Sequence, residues 1–357
     1  SGVASCHEST RKEDALARMR LGMYSKMREG SAWQDIKATV KSITETGADD
    51  RRALLVTDDT HPHTILTLGH MNHVVKRAIE EGLNPISAIQ MATINTAECF
   101  KVSHEIGAIA PGRCADILFV RDLADFVPEI VMSDGKIVAK EGKLTESLKT
   151  PKYPDWALNT VHLRKELTGT DFEVKYFGAD REATVRVIQV IEAKTNTLHK
   201  TAKLLVHDQT ILANPAQDVA KVAVIERHGG PGNMGIGFVQ GFGLKRGAVA
   251  STVAHDSHNL LIMGTNDPDM AYAGNVLHEC GGGMVAVCDG KVLALVKLPI
   301  AGLMSNEPVE DVDAQVKALD EAWRQLGCSI ESPFMTMALL SLPVLPELRI
   351  TNRGLVD

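Results

Sequence analysis

Aromatic residues are scarce in this sequence, where Phe, Tyr and Trp together make up 4% of the 357 residues. A core of this composition depends on Val, Ile, Leu, Ala and Met. No run of about 18 apolar residues occurs, so the sequence predicts no transmembrane helix. The first ten residues, SGVASCHEST, lack an initiator Met and the basic and apolar regions of a signal peptide. We therefore expect no membrane partner and no secretory leader.

The six cysteines are scattered, and none of them forms a CxxC pair or a zinc-finger spacing. They predict reduced thiols and a cytoplasmic location. The formal net charge of −7 argues against a nucleic-acid partner, because such partners bind broad basic surfaces. A hydrophobic share of 44% and a charged share of 23% are ordinary for globular proteins and exclude a disordered chain, a coiled coil and a collagen-like fibre.

Residues 1–106 alternate short apolar segments with segments of helical spacing. The predicted strands are Val3–Cys6, Gly22–Met27 and Ala53–Thr57. The predicted helices are Arg11–Arg20, Trp33–Ile43, Met71–Glu81 and Pro85–Phe100. This alternation indicates an α/β fold with a parallel sheet or barrel.

Short strands replace this pattern over residues 107–140, which we predict to be a small β unit. A strand is predicted over Gly107–Val120, and Ser133-Asp134-Gly135 between two apolar runs predicts a hairpin. Residues 141–170 are polar and contain two prolines, so they predict a linker. Residues 171–357 predict a C-terminal α+β domain. The segment GPGNMG, from Gly230, matches GxGxxG, but the glycine-rich residues after it do not predict the helix that a phosphate-binding loop needs.

Two polar clusters follow predicted strands. His7 and Glu8 come after the first strand, and Asp58 and Asp59 come after the strand that ends at Thr57. In parallel α/β folds, functional residues collect where strands end. A histidine and an aspartate from two strand ends can ligate one divalent metal, and the aspartate can also take a proton from water. The same residue types also fit a hydrogen-bonded loop histidine and solvated carboxylates.

A third polar cluster contains His255, Asp256, Ser257 and His258, directly after the apolar run Ala248–Ala254. We consider three roles for it: contact with a substrate, binding of a separate metal, or a hydrogen-bonded structural turn. Two histidines at this spacing are a weak metal signal by themselves.

The order of the motifs resembles the amidohydrolase superfamily and, within it, the adenine deaminase family. The first half contains, in order, His7-Glu8, Arg20-Leu-Gly-Met-Tyr24, Arg28-Glu-Gly-Ser31, VTDDTHP, MATINTAECF and IGAIAPGRCADILFV. The second half contains ERHGGPGNMGIGFVQGFGLKRGA, AHDSHN and PFMTMALLSLPVLPELRITNRGLVD. The motif PG(R/K)xAD is typical of the β unit that follows the barrel in this superfamily, and the second half resembles the extra C-terminal domain of adenine deaminases.

The resemblance implies that residues 1–106 are the last strands of a (β/α)8 metal-dependent hydrolase barrel. His7 matches the metal-ligand histidine of strand six. Asp58 matches the aspartate of strand eight, which binds metal and serves as general base and acid. Glu8 and Asp59 are implied as substrate contacts or as neighbours of the ligands. For the cluster at 255–258 the same two roles are candidates beside a separate metal and a structural turn.

The activity implied by the resemblance is hydrolytic deamination of adenine to hypoxanthine and ammonia in purine salvage. The implied cofactor is a divalent metal in a binuclear site, with Mn, Fe or Zn, and the implied partners are adenine and a second copy in a homodimer. The family's first-strand HxH, fourth-strand carboxylate and fifth-strand histidine have no match, so we expect a C-terminal portion that needs the N-terminal part. The alternatives are another amidohydrolase, such as a cyclic-amide hydrolase, and a non-catalytic fragment without a complete metal site.

Overall fold

A computed structural model of the chain describes residues 2–148, 151–192 and 194–357. The chain forms two compact units, residues 1–150 (unit 1) and residues 151–357 (unit 2). Both units combine helices with sheets, as the predicted α/β class requires. Among the described residues, no helix has the length and apolarity that a membrane span needs.

Unit 1 begins with a small parallel sheet and the helices around it. Its first ten elements are β1 (Ser5–Cys6), α1 (Lys12–Arg20), β2 (Tyr24–Arg28), α2 (Ile36–Thr39), α3 (Lys41–Thr44), β3 (Ala53–Val56), α4 (Pro62–Thr67), α5 (Met71–Glu80), α6 (Pro85–Ala92) and α7 (Ile94–Cys99). The sheet order is β1-β2-β3, and Cys6 pairs with Ser25 while Arg28 pairs with Val56. Because all three strands run parallel, their carboxyl ends meet at one edge of the sheet.

The core of unit 1 explains which predicted elements form. Leu55 of β3 packs in one buried cluster with Val74, Val75 and Ala78, the apolar stripe of α5. The three predicted strands and the helix over 71–81 are confirmed within a few residues at each end.

Two predicted helices are wrong in their extent. The segment predicted as one helix over 33–43 contains two short helices, α2 and α3, and the first of them begins only at Ile36. Residues 85–100 form α6 and α7, because the backbone of Thr93 leaves the helical region at φ −122° and ψ −91°. The Thr93 hydroxyl donates to the carbonyl of Ile89 at 2.6 Å, a local bond of the kind that bends or interrupts helices.

An antiparallel sheet completes unit 1. Its strands are β4 (Ile117–Val120), β5 (Pro128–Ser133), β6 (Lys136–Lys140) and β7 (Lys143–Leu144), paired in chain order. The predicted hairpin is confirmed, and Asp134 and Gly135 both have positive φ, as a type I′ turn requires. The strand predicted over 107–120 is shorter than expected and begins at Ile117, because Gly107 and Gly112 have positive φ.

Unit 2 contains a ten-stranded mixed sheet with helices. Its elements are β8 (Val174–Lys175), β9 (Glu182–Val190), β10 (Thr197–His207), β11 (Thr210–Ile211), β12 (Val219–Ile225), β13 (Met234–Gln240), β14 (Ala248–Ser251), β15 (Leu260–Gly264), α8 (Asp267–Glu279), β16 (Gly283–Cys288), β17 (Lys291–Lys297), α9 (Val309–Gln325), α10 (Pro333–Ala338), β18 (Arg349–Thr351) and β19 (Gly354–Val356). The sheet order is β17-β16-β14-β15-β12-β13-β9-β10-β11-β8. Strands β13 and β9 pair parallel, and the other pairs of this sheet are antiparallel.

Helices cover both faces of the large sheet. Along β12, Val222 packs in one core cluster with Trp323 of α9, whereas its neighbour Ala223 packs in another cluster with Met270 of α8. Successive side chains of a strand point to opposite faces, so α8 and α9 lie on opposite sides. Val161 and Leu167, within the predicted linker, are buried residues of unit 2.

The glycine-rich segment contains β13, a strand that the sequence did not predict. A Cβ on Gly235 would lie 2.1 Å from the carbonyl oxygen of Thr351, and a Cβ on Gly237 would lie 3.0 Å from a methyl group of Leu355. The glycines therefore let the β18–β19 hairpin approach β13 closely.

Candidate metal and acid–base site

The parallel sheet of unit 1 brings three predicted site residues to one edge. His7 directly follows β1, and Asp58 follows β3 by two residues. His7 Nε2 lies 3.0 Å from Glu8 Oε1. The Nη1 atom of Arg28 donates to Asp58 Oδ2 at 2.9 Å and lies 3.4 Å from Glu8 Oε2. A continuous chain of contacts thus joins His7, Glu8, Arg28 and Asp58.

Arg28 is the central residue of this series of contacts, and we did not predict it as a site residue. It is the last residue of β2, and its side chain is 4% exposed. Its Nε donates to Asp35 Oδ2 at 2.7 Å, and the backbone N–H of Asp35 donates to the Arg28 carbonyl at 3.0 Å. Burial alone would lower the pKa of Arg28, but the bond to Asp35 and the charges of Asp35 and Glu8 raise it above its usual value. A basic residue at the end of a predicted strand was the signal available in the sequence.

The charges at this edge do not balance. One guanidinium faces the carboxylates of Glu8, Asp35 and Asp58, which leaves an excess of negative charge. Imidazole nitrogen and carboxylate oxygen are ligand types that Zn, Mn and Fe accept. His7 and Asp58 therefore fit a divalent cation by charge and by donor type.

His7 and Asp58 supply two ligands, which is fewer than a complete site needs. Among the described residues, one group of three His, Cys, Asp or Glu side chains has its ligand atoms within 4.8 Å of one another: Asp269, Cys288 and Asp289 of unit 2. The Asp269 carboxylate there accepts backbone N–H groups of Asp289 at 3.1 Å and Gly290 at 2.9 Å. Asp269 thus holds the turn between β16 and β17.

Asp59, in the loop after β3, is hydrogen-bonded to the loop that follows β2. Its Oδ2 accepts the backbone N–H of Ala32 at 2.6 Å, and its carbonyl accepts the N–H of Ser31 at 2.9 Å. Burial raises the pKa of Asp59, and the Ala32 bond and the charge of His61 offset part of that rise. A Cβ on Gly30 would lie 2.2 Å from Asp59 Oδ1. Asp59 therefore ties residues 30–32 to the loop after β3, and a substrate contact for it stays a prediction.

Glu29 is a buried carboxylate that we did not predict as a site residue. Its side chain is 5% exposed, and its Oε1 lies 3.5 Å from Nε of Arg77. Its Oε2 accepts the backbone N–H of Ile36 at 3.4 Å. Burial raises the pKa of Glu29 despite both interactions.

The cluster at 255–258 is a hydrogen-bonded loop of unit 2. His258 Nδ1 accepts the backbone N–H of Ala254 at 3.1 Å, and the His258 carbonyl accepts Nε of the buried Arg227 at 2.6 Å. The carbonyl of Ser257 lies 2.8 Å from His228 Nε2. Because Nδ1 is an acceptor, neutral His258 carries its proton on Nε2, which disfavours the separate metal.

Asp256 and Ser257 are the exposed residues of this cluster, whereas His255 and His258 are half-buried. His255 Nδ1 lies 3.8 Å from Asp256 Oδ1, and the rings of His255 and His258 are 5.5 Å apart. Burial, followed by the charges of His255 and Arg227, lowers the pKa of His258. Substrate contact by these four residues stays a prediction.

Each half of the chain matches the model of a known protein family. Residues 4–138 match the model of the Amidohydrolase family, and residues 194–357 match that of the Adenine deaminase C-terminal domain. A solved beta-aspartyl dipeptidase from Fervidobacterium islandicum AW-1 is 20% identical, covers 39% of this chain and 38% of its own, and has a TM-score of 0.31. A likeness of that size supports no conclusion.

Curated relatives match over the whole chain. Proteins named adenine deaminase from Moorella thermoacetica, Clostridium botulinum (strain ATCC 19397 / Type A) and Mesorhizobium japonicum are 63%, 56% and 48% identical over 357 residues. Each alignment covers 100% of this chain and 59% or 60% of the relative. The chain thus spans about 60% of the length of the curated relatives that it matches. Over its whole length the chain is thus similar to part of the curated adenine deaminases.

Proposed function

We propose that this chain serves the hydrolytic deamination of adenine to hypoxanthine and ammonia. In this reaction the bond from C6 to the exocyclic amino nitrogen breaks, a C6–O bond forms with oxygen from water, and the amino group leaves as ammonia. The observation that best supports this proposal is the series of contacts at one edge of the sheet, from His7 through Glu8 and Arg28 to Asp58. The names of the relatives support the choice of adenine over a cyclic amide.

We propose that His7 and Asp58 hold the divalent metal that the family implies. When bound, the metal would supply Lewis acidity and would lower the pKa of its water toward about 7. The proposed metal is Mn, Fe or Zn in a binuclear site. Since this chain offers two ligands and its relatives are longer, we propose that residues outside this sequence complete the site.

Asp58 is the proposed general base and acid. One of its oxygens is bonded to Arg28, and its other oxygen would accept the proton of the attacking water and deliver it to the leaving amino group. The backbone of Asp58 has φ 65°, in the left-handed region that aspartate tolerates better than most residues. Asp58 lies two residues after the end of β3, in the region where parallel α/β folds collect functional residues.

We further propose a fold for unit 1, an oligomeric state and a cellular location. The parallel sheet β1-β2-β3 with its intervening helices supports the view that unit 1 contains the last strands of a (β/α)8 barrel. We also propose a cytoplasmic homodimer in purine salvage. The six free cysteines support a reducing compartment.

The test uses the full-length gene product that carries this sequence, loaded with Mn2+ and assayed for conversion of adenine to hypoxanthine. Asp58→Asn should lower kcat by about 10²–10⁴-fold, the usual contribution of a positioned acid–base group. Asp50→Asn is the matched control, because Asp50 lies at the opposite, amino-terminal end of β3. Unchanged turnover in Asp58→Asn, or no hypoxanthine from the unmodified protein, would refute the proposal.

A further inference from the structure

We propose that Arg28 is a positioning residue for Asp58, an inference that rests on the proposed function. One Arg28 nitrogen, Nη1, donates to Asp58 Oδ2 at 2.9 Å and lies 3.4 Å from Glu8 Oε2. That atom therefore links the loop after β1 to the loop after β3. The hydrogen bond from Nη1 engages Oδ2 of Asp58, so Oδ1 is the oxygen that would transfer the proton.

The guanidinium is held so that it can set the position of another group. Arg28 sits opposite Val56 in the parallel register, and its side chain is almost fully buried. Asp35 fixes the guanidinium through the hydrogen bond from Nε of Arg28, and Cζ of Arg28 lies 5.9 Å from the centre of the Trp33 ring. A planar guanidinium fixed at Nε has little freedom at Nη1, so the direction of the bond to Asp58 is set by β2.

The surroundings distinguish this arrangement from a closed structural ion pair. In unit 2, Lys221 Nζ bonds both oxygens of Asp267, at 2.7 and 2.8 Å, together with the carbonyl of Phe172. That pair leaves neither carboxylate oxygen without a partner. At Arg28, in contrast, one cation faces three carboxylates, and Glu8 and Asp58 are the more exposed two. The negative charge that remains faces the edge where the cation and substrate are proposed to bind.

A positioning role and a metal-ligand role predict opposite effects on cation affinity. Removing Arg28 removes a positive charge that competes with the metal, so Mn2+ should bind about threefold to tenfold more tightly. Removing Asp58 removes a ligand, so Mn2+ should bind more weakly. Loss of position should nevertheless lower kcat of the Arg28 variant by about 100-fold, with little change in KM.

The experiment compares Arg28→Gln, Arg28→Lys and Asp58→Asn in the full-length gene product. Mn2+ affinity is measured by electron paramagnetic resonance titration, kcat and KM with adenine, and folding by thermal denaturation. Arg52→Gln is the control, because Arg52 precedes β3 at the other end of the sheet and bonds the Gly22 carbonyl. Arg28→Lys keeps the charge but not the fork of donors, so it should lower kcat without tightening Mn2+ binding.

Two results would overturn the inference. One is a kcat per folded molecule of Arg28→Gln within threefold of the unmodified protein. The other is Mn2+ binding in Arg28→Gln that is equal to or weaker than binding in the unmodified protein. If the unmodified protein converts no adenine, the proposed function fails, while the Mn2+ affinities still decide the role of Arg28: tighter binding supports it, and equal or weaker binding overturns it.

Discussion

The carboxylate of Glu226 accepts the backbone N–H of His228 at 2.6 Å, just after β12. Its second oxygen lies 3.3 Å from the N–H of Gly232. Burial would raise the pKa of Glu226, but hydrogen bonds from His228, Gly230 and Gly232 lower it below its usual value. Successive backbone N–H groups of this kind form a nest that binds anions. The glycine-rich loop therefore matches a phosphate-loop pattern but holds a carboxylate of its own chain.

Replacing Glu226 by Gln should destabilise unit 2. The variant keeps the shape of the side chain but loses the charge-assisted bonds to the loop, which are worth about 1–3 kcal/mol in total. The measurement is the free energy of unfolding in urea at pH 7. Glu166→Gln, at an exposed position, is the control. Because the folded pKa is lowered, the stabilisation is present above the unfolded pKa and lost as the pH falls through the folded value.

Gly30→Ala should destabilise unit 1 by about 1–3 kcal/mol, the usual cost of overpacking a tight site. The added Cβ would lie 2.2 Å from Asp59 Oδ1 and 2.5 Å from the Asp59 carbonyl oxygen. Gly169→Ala is the control, since its nearest contact is 3.5 Å. Equal melting temperatures for Gly30→Ala and the unmodified protein would show that the loop after β2 does not pack on Asp59.

His258 should make unit 2 less stable in mild acid. Its pKa in the folded protein is lowered, so the unfolded chain binds the proton more readily. Stability is therefore complete above about pH 6.5 and falls below it, by at most about 1.4 kcal/mol per pH unit. His258→Asn, which keeps an acceptor for the Ala254 N–H, should flatten this dependence between pH 7.5 and 5.5. His207→Asn, at an exposed histidine, should leave the slope unchanged.

Trp323→Ala should be among the most damaging core substitutions of unit 2. Trp323 is 1% exposed and its ring contacts Phe242 at 6.0 Å and Phe334 at 5.0 Å between centroids. Truncating a buried tryptophan costs about 3–5 kcal/mol of unfolding free energy. Trp156→Ala should change stability by less than about 0.5 kcal/mol, because Trp156 is 82% exposed. A small effect at Trp323 would show that α9 does not pack on the large sheet as described.

The local pattern of apolar and charged residues was sufficient to predict a helix or strand that buries one face or is bounded by charged residues. The strand at Ala53–Val56 and helix α5 follow from their apolar spacing. We did not predict helix α8, because it has no single apolar stripe. It buries small residues around much of its circumference, among them Ala271, Ala273 and Gly274.

The sequence by itself determined the polar residues that follow β1 and β3, the order of the motifs and the family that they resemble. Spacing and composition carry that information, because they depend on neighbours along the chain. Only the tertiary structure decided that Arg28 joins Glu8 to Asp58, because that contact depends on the parallel register of three strands. Likewise, only packing decided that Glu226 occupies the glycine-rich loop, since a backbone nest exists only once the chain has folded.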